Sequence, residues 1–172
     1  MDPEFFEQMA MPLFDPLYNF AQWLTGDRTE AEDLVQETYA KALKGFGSFA
    51  AGTDLRAWMY RILRNTFLTS RTGLAAQKTS WLEDEERGDE VVAHEVTPEV
   101  LVLQKEGSTT VMVALAALPV PYREVLLLCE VEEMAYREIA EVLGVPVGTV
   151  MSRLARARKK MRLLLTAKED AR

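Results

Sequence analysis

One segment near the C-terminus restricts the fold more than any other. It reads Y-R-E-I-A-E-V-L-G-V-P-V-G-T-V over residues 136–150. Ile139 and Leu143 are spaced for the inner face of a short helix, and Gly144 is suited to end it because glycine adopts positive φ without a Cβ penalty. A second helical pattern begins at Val147, after a short turn. The segment therefore predicts a helix-turn-helix.

The second helix of this motif has two chemically different sides. At about 100° per residue, one apolar stripe is formed by Val150, Leu154, Ala157, Met161 and Leu164. The polar side is predicted to carry Thr149, Ser152, Arg153, Arg156, Lys159 and Lys160. Residues 150–165 contain six basic side chains and no acidic one. A merely soluble helix usually mixes charges for i,i+4 pairing, so this face favours insertion into the DNA major groove over a purely structural helix pair.

Helical spacing extends over almost the whole chain, and no alternating strand pattern of useful length occurs. Helices are predicted within 4–24 and over about 28–44, 54–70, 99–118, 122–132, 136–143 and 147–166. Gly26 should end the first, and Asp27 should cap the second. Residues 76–96 are acidic and lack periodicity, which is typical of a flexible linker. We expect an all-α protein with two small helical modules joined by a flexible acidic linker.

The charge is distributed unevenly. The net charge is −7, yet residues 38–75 and 134–172 each carry +5. Acidic segments precede and separate these two basic blocks. Two DNA-facing surfaces on an otherwise phosphate-repelling body would give this pattern. Solvated helix faces of both signs are the alternative.

Several functional classes are excluded by composition. One His and one Cys cannot build a His/Cys zinc site. We find no paired nucleophile and base, and we expect neither enzymatic activity nor a cofactor. Cys129 lies in an apolar run and is expected to be core rather than a redox sensor. No apolar run approaches membrane-spanning length and no export signal is visible, so we expect a cytoplasmic protein without direct membrane insertion.

The predicted helix over 54–70 interleaves basic and aromatic side chains. Arg56, Tyr60, Arg64, Phe67 and Arg71 recur every three or four residues and so share one face. Bases of unpaired DNA stack on aromatic rings while Arg holds the backbone, so this face suits single-stranded DNA. Burial of Tyr60 and Phe67 in a neighbouring core is the alternative. The predicted helix over 28–44 carries an acidic ridge of Glu30, Asp33 and Glu37. Taken alone, this ridge indicates only a solvated face.

Four segments together resemble a known family. They read A-E-D-L-V-Q-E-T (31–38), L-R-A-W-M-Y-R-I-L-R-N (55–65), L-P-V-P-Y-R-E-V-L-L-L (118–128) and Y-R-E-I-A-E-V-L-G-V-P-V-G-T-V-M-S-R-L-A-R-A-R (136–158). In this order they resemble bacterial RNA polymerase sigma factors of the extracytoplasmic-function (ECF) group of the sigma-70 family. The resemblance implies a region 2 module over 4–71, a linker over 72–97 and a region 4 helix-turn-helix module over 98–166.

The resemblance also implies roles for individual residues. The clamp helices of the polymerase β′ subunit would be contacted by Asp33, Gln36 and Glu37. The single-stranded −10 promoter element would be bound by Phe49, Thr53, Arg56, Tyr60, Arg61, Arg64 and Asn65. The −35 element would be read in the major groove by Thr149, Ser152, Arg153, Arg156 and Lys160. The apolar helix 122–128 would dock the β flap.

The expected function is promoter-specific transcription initiation with core RNA polymerase through the −10 and −35 elements. An anti-sigma factor would be a further partner and could hold the protein at the membrane. The alternative is a sigma-like decoy that sequesters an anti-sigma factor without binding promoters. A third reading, a helix-turn-helix regulator with an unrelated sensor domain, is disfavoured by the segment 31–38.

Overall fold

The structure, a computed structural model, describes residues 2–49, 52, 54–72 and 110–170. These ranges contain α1 (Pro3–Ala10), α2 (Phe14–Thr25), α3 (Arg28–Gly45), α4 (Leu55–Thr72), α5 (Thr110–Ala117), α6 (Val120–Leu126), α7 (Tyr136–Leu143) and α8 (Val147–Asp170). We call α1 to α4 the N-terminal module and α5 to α8 the C-terminal module. The described residues include no β-strand, and the all-α prediction is confirmed.

The first predicted helix is divided in two. A 3₁₀ turn over Met11–Leu13 separates α1 from α2. Pro12 lies in this turn, and a proline inside an α-helix removes a backbone donor and clashes with the preceding turn. The prediction of one helix within 4–24 was wrong for this reason.

The boundary between α2 and α3 follows its sequence signals. Gly26 adopts φ 69° and its amide donates to the carbonyl of Gln22 at 2.8 Å. Asp27 then caps α3, since its Oδ1 accepts from the amides of Thr29 and Glu30 at 2.7 and 3.3 Å. These bonds satisfy donors that a helix start leaves without an intrahelical partner. Both boundary predictions are confirmed.

The helix-turn-helix is also present at the predicted place. Gly144 ends α7 with φ 67°, and its amide donates to the carbonyl of Ala140 at 2.9 Å. Upstream, α6 continues into a π-helical turn over Leu127–Val131 rather than an unbroken α-helix. The C-terminal helix α8 is longer than the predicted 147–166 and extends to Asp170.

One continuous apolar core runs through both modules. In the N-terminal module its fully buried members include Leu17, Phe20, Leu24, Met59 and Leu63. In the C-terminal module they include Leu118, Leu128, Ile139, Val150 and Leu154. The helix α7 packs against α4, and α6 approaches α2. The two modules therefore form a closed arrangement with a shared interior.

The acidic linker predicted over 72–97 lies, apart from its first residue, outside the described residues. The same holds for the first part of the helix predicted over 99–118.

Two glycines of the helix-turn-helix allow a matched test of backbone conformation. An added Cβ meets no atom within 4 Å at either Gly144 or Gly148, but only Gly144 has positive φ. We expect Gly144→Ala to lower the free energy of unfolding by about 1–2 kcal/mol because an L-residue is strained there. Gly148→Ala should raise it by about 0.5–1 kcal/mol through helix propensity. Urea denaturation measures both, and equal effects would contradict the assignment.

Candidate nucleic-acid and polymerase interfaces

The acidic ridge predicted for polymerase contact lies on the outer face of α3. Asp33, Gln36 and Glu37 are all exposed, while Leu34 and Val35 between them point into the core. Glu37 forms an i,i+4 ion pair with Lys41 at 3.4 Å, a surface contact of small energetic value. The ridge therefore presents its carboxylates to solvent.

A shallow pocket adjoins this ridge. It has a volume of about 320 Å³ and lies where α2, α3 and α4 meet. Its lining is acidic at the rim and apolar at the base, and consists of Thr25, Glu30, Asp33, Leu34, Glu37, Phe67 and Ser70. Such a combination fits a cationic side chain with an aliphatic stem.

The turn after α3 is built on aromatic contacts. The half-buried ring of Phe49 lies 5.8 Å from that of Phe46 and 5.1 Å from that of Trp58, centroid to centroid. The contact with Phe46 is stacked, at 15° between ring planes. Phe49 is thus placed beside two further rings, whereas Thr53 lies outside the described residues.

The interleaved face of α4 differs from the prediction. Arg61 and Asn65 are exposed as a DNA-contacting face requires. Tyr60 is 0% exposed, and its ring lies 5.2 Å from that of Phe20. Burial raises the pKa of its hydroxyl. Phe67 is buried as well, so the alternative of aromatic burial is borne out and the expected exposure of Tyr60 was wrong for this conformation.

Arg64 is also buried, with 7% of its surface exposed. Its Nε donates to Oε2 of Glu124 at 2.9 Å, and Nη1 donates to the carbonyl of Leu143 at 3.3 Å. The prediction of an outward Arg64 fails here because the C-terminal module covers this part of α4. Glu124 supplies the opposite charge that a buried guanidinium needs.

Arg56, at the start of α4, contacts the same module. Its Nη2 donates to both carboxylate oxygens of Glu138 at 3.1 and 3.0 Å, and Nη1 donates to the carbonyl of Glu132 at 3.2 Å. Its side chain is one-third exposed. Arg56 therefore remains at the surface but is engaged by α7 in the closed arrangement.

Asp54 shares this contact. A hydrogen bond between the carboxyl groups of Asp54 and Glu138 lowers the pKa of Asp54 and raises that of Glu138. The cluster of Asp54, Arg56 and Glu138 thus joins the two modules through charged groups.

The second helix of the helix-turn-helix, α8, keeps part of its predicted polar face accessible. Ser152 is exposed, and Thr149, Arg156 and Lys160 are half-buried. The ammonium of Lys160 lies 5.6 Å from the ring centroid of Tyr122.

Arg153 does not belong to the accessible face. It is only 4% exposed, which contradicts its predicted place opposite the apolar stripe. Counted at about 100° per residue, Arg153 lies about 60° from the direction of Val150 and therefore flanks that stripe. Packing of α8 against α6 and α7 covers this flank.

Sequence reasoning missed the acidic partners on the C-terminal module. Glu124 is 0% exposed and lies in the run P-Y-R-E-V-L-L-L, for which the sequence predicted only an apolar helix that docks the β flap. The neighbouring Arg123 is buried too, and donates to the carbonyls of Leu115, Ala116, Leu118 and Trp23 at 2.9–3.1 Å. Charged residues inside an apolar run are the signal, because a buried charge requires a partner.

Two further properties concern only the part of the chain that the structure describes. It contains no group of three or more His, Cys, Asp or Glu side chains arranged to hold a metal ion. None of its helices is long and apolar enough to span a membrane.

Comparison with protein families assigns both modules. Residues 11–76 match the family described as Sigma-70 region 2, and residues 108–161 match Sigma-70, region 4. These matches cover more than half of the chain. The chain belongs to the sigma-70 family of RNA polymerase sigma factors. The family acts by binding rather than catalysis, in agreement with the sequence.

Individual relatives assign the chain to the ECF group of this family. The chain is 34% identical over 155 residues to the ECF RNA polymerase sigma factor SigW of Bacillus subtilis, covering 86% of this chain and 82% of SigW. It is 32% identical over 164 residues to the ECF RNA polymerase sigma factor SigE of Mycolicibacterium smegmatis. That match covers 91% of this chain but 63% of SigE, so the chain spans less than two thirds of that relative.

Solved structures share the fold. The sigma factor RpoE in complex with the anti-sigma factor NepR from Bartonella quintana has a TM-score of 0.66 and 30% identity, covering 94% of this chain and 96% of RpoE. CnrH in complex with the cytosolic domain of CnrY has a TM-score of 0.69 and 27% identity, covering 96% of this chain and 90% of CnrH.

Cys129 offers a test of local electrostatics beside α8. Burial and the carboxylate of Glu130 raise the pKa of its thiol, while Arg158, with Nη2 3.8 Å from Sγ, acts in the opposite direction. Since the thiolate is the reactive form, we expect Glu130→Gln to speed the reaction with a disulfide reagent at pH 8 and Arg158→Ala to slow it, each by roughly twofold to fivefold. Stopped-flow absorbance measures the rates, and a change of the same sign in both would contradict this account.

Proposed function

We propose that this sigma factor directs promoter-specific initiation by contacting the −10 element through region 2 and the −35 element through region 4. The division into 4–71, 72–97 and 98–166 is part of this proposal. The observation that carries it is the polar surface of α8 over residues 150–165, which contains no acidic side chain and on which Ser152 is exposed and Arg156 is half-buried. Hydroxyl and guanidinium groups on a helix-turn-helix can contact base edges and phosphates in the major groove.

Region 2 supplies two further surfaces. The solvent-facing carboxylates of Asp33 and Glu37 support binding to a basic surface of the polymerase, for which we propose the β′ clamp helices. For the −10 element, Arg61 and Asn65 are accessible now, and Phe49 lies beside other rings at the turn after α3. A base that leaves the stack regains binding energy when a protein pocket holds it. The binding energy from captured bases would offset the cost of unpairing the promoter, so that opening needs no nucleotide hydrolysis.

Two further −10 residues need a change of conformation. Arg56 and Arg64 are both engaged by carboxylates of the C-terminal module. Separation of the modules would return Arg56 and Arg64 to solvent. Tyr60 also packs on Phe20 of its own module, so we assign it a supporting position beneath the DNA-binding face rather than a stacking one. Arg153 takes a comparable supporting position on the buried flank of α8.

An anti-sigma factor is the further proposed partner. The structural neighbours RpoE and CnrH are each described in complex with an anti-sigma factor or the cytosolic domain of a partner. We propose that such a protein regulates this chain in the cytoplasm, where an anti-sigma factor attached to the membrane could hold it.

Transcription in vitro with purified core polymerase and a promoter library tests the proposed function. Specific initiation that depends on the added chain is the expected result. Absence of initiation, together with tight binding to an anti-sigma factor, would instead favour the decoy function.

Neighbouring carboxylates on α3 separate polymerase binding from general charge. We expect Asp33→Ala to weaken core polymerase binding about tenfold, because a charge-assisted contact is worth about 1.5–3 kcal/mol. Glu32→Ala removes an equal charge from the adjacent position, where Glu32 only approaches Arg28 at 4.0 Å on the surface. Its effect should stay within about twofold. Biolayer interferometry compares the two, and equal losses would contradict a specific clamp contact.

Two arginines on opposite flanks of α8 test −35 recognition. We expect Arg156→Ala to raise the Kd for a −35 duplex about tenfold or more, the usual loss for a base-contacting arginine. Arg158→Ala removes the same charge from the other flank, where Arg158 pairs with Glu130 at 2.8 Å. Fluorescence anisotropy at fixed salt measures both affinities. Similar losses in the two variants would indicate nonspecific charge attraction instead.

A further inference from the structure

Two ion pairs join the modules, and in both the arginine belongs to the N-terminal module and the glutamate to the C-terminal module. The N-terminal module contributes Arg56 and Arg64, two turns apart on α4. The C-terminal module contributes Glu138 from α7 and Glu124 from α6. We call these contacts the inter-module ion pairs. Both arginines belong to the proposed −10 surface, so the carboxylates occupy positions that backbone phosphates would take.

From this arrangement we propose that Glu124 and Glu138 act as an internal substitute for DNA and hold the free sigma factor closed. The inter-module ion pairs inhibit −10 binding until the modules separate. This inference rests on the proposed function of α4 as a −10-binding helix. It assigns an inhibitory role to two acidic residues of region 4.

The geometry favours competition over permanent closure. Two Arg–Glu pairs dock through directional contacts: Arg56 is bidentate to Glu138, and Arg64 bonds both Glu124 and the carbonyl of Leu143. The other carboxylate oxygen of Glu124, Oε1, is buried and meets no hydrogen-bond donor among the described residues. Burial of a charge offsets much of the Coulomb attraction in such pairs. A competing polyanion can therefore displace the carboxylates when the modules separate.

Both pairs also differ from ordinary surface ion pairs. The side chains of Arg64 and Glu124 are 9% and 0% exposed, and those of Arg56 and Glu138 are 33% and 25% exposed. Removing one partner of a buried pair leaves the other charge without compensation, but only while the modules stay together. Loss of a carboxylate therefore destabilises the closed arrangement relative to the open one, because in the open arrangement water solvates the remaining arginine.

Neutral substitutions of the carboxylates test the proposal in the full chain. We expect Glu124→Gln combined with Glu138→Gln to increase the radius of gyration in small-angle X-ray scattering. The same protein should bind a randomised pool of fluorescein-labelled single-stranded DNA about tenfold more tightly, since apparent affinity rises with the binding-competent fraction. Glu141→Gln is the matched control for charge: Glu141 is exposed on α7, three residues after Glu138. It should change affinity by less than about twofold.

Three further variants separate the proposal from a loss of folding at the buried Glu124. Glu138 is partly exposed, so Glu138→Gln alone should give a smaller change of the same sign, with unchanged helical circular dichroism. Arg56→Glu should expand the protein, and Arg56→Glu with Glu138→Arg should restore the compact radius. If the Gln variants match Glu141→Gln in radius and affinity, or the charge swap restores nothing, the proposal is overturned.

Failure of this inference is distinguishable from failure of the proposed function. Normal initiation by the wild-type chain with core polymerase, together with Gln variants that remain compact, would retain the function and reject the inhibitory ion pairs. Expanded Gln variants with tighter DNA binding, but no initiation by any form, would retain the ion pairs and reject the function.

Discussion

The ion pair between Arg64 and Glu124 is the contact on which the closed arrangement depends. Neither charge could be buried alone without a large desolvation cost, and each comes from a different module. Their pairing allows α7 to pack on α4 and so lets one apolar interior extend across both halves of the chain. The second pair, between Arg56 and Glu138, lies nearer the surface and fixes the orientation of the same two helices.

Local signals in the sequence were sufficient for most of the secondary structure. Gly26, Asp27 and Gly144 act within a few residues of their own position, and each marks a helix boundary where it was predicted. Side-chain exposure was harder to predict because it depends on contacts between distant segments. The face of α4 that carries Arg64 has the composition of a DNA-binding surface, yet a carboxylate 60 residues further along the chain covers it.

Arg153 shows a different limit. A division of α8 into an apolar and a polar side assigns every basic residue to the polar side, but a packed helix buries more than the central stripe. A long side chain at the edge of the stripe is covered when two helices pack against it. The spacing of Arg153 relative to Val150 contained this information, whereas the burial of Tyr60 required knowledge of how α2 and α4 pack. Periodicity alone did not suggest a function for the solvated acidic ridge on α3, and the proposed polymerase contact came from the family resemblance.

Arg123 has a consequence for how such a protein can open. Three of the four hydrogen bonds described for its guanidinium join it to Leu115, Ala116 and Leu118 within region 4, and one reaches Trp23 in region 2. Undocking would break the single bond to Trp23 and leave the other three in place. Arg123 therefore links α5 to α6 through hydrogen bonds that do not involve region 2. Region 4 can separate from region 2 as one rigid body, with its first helix still packed in place.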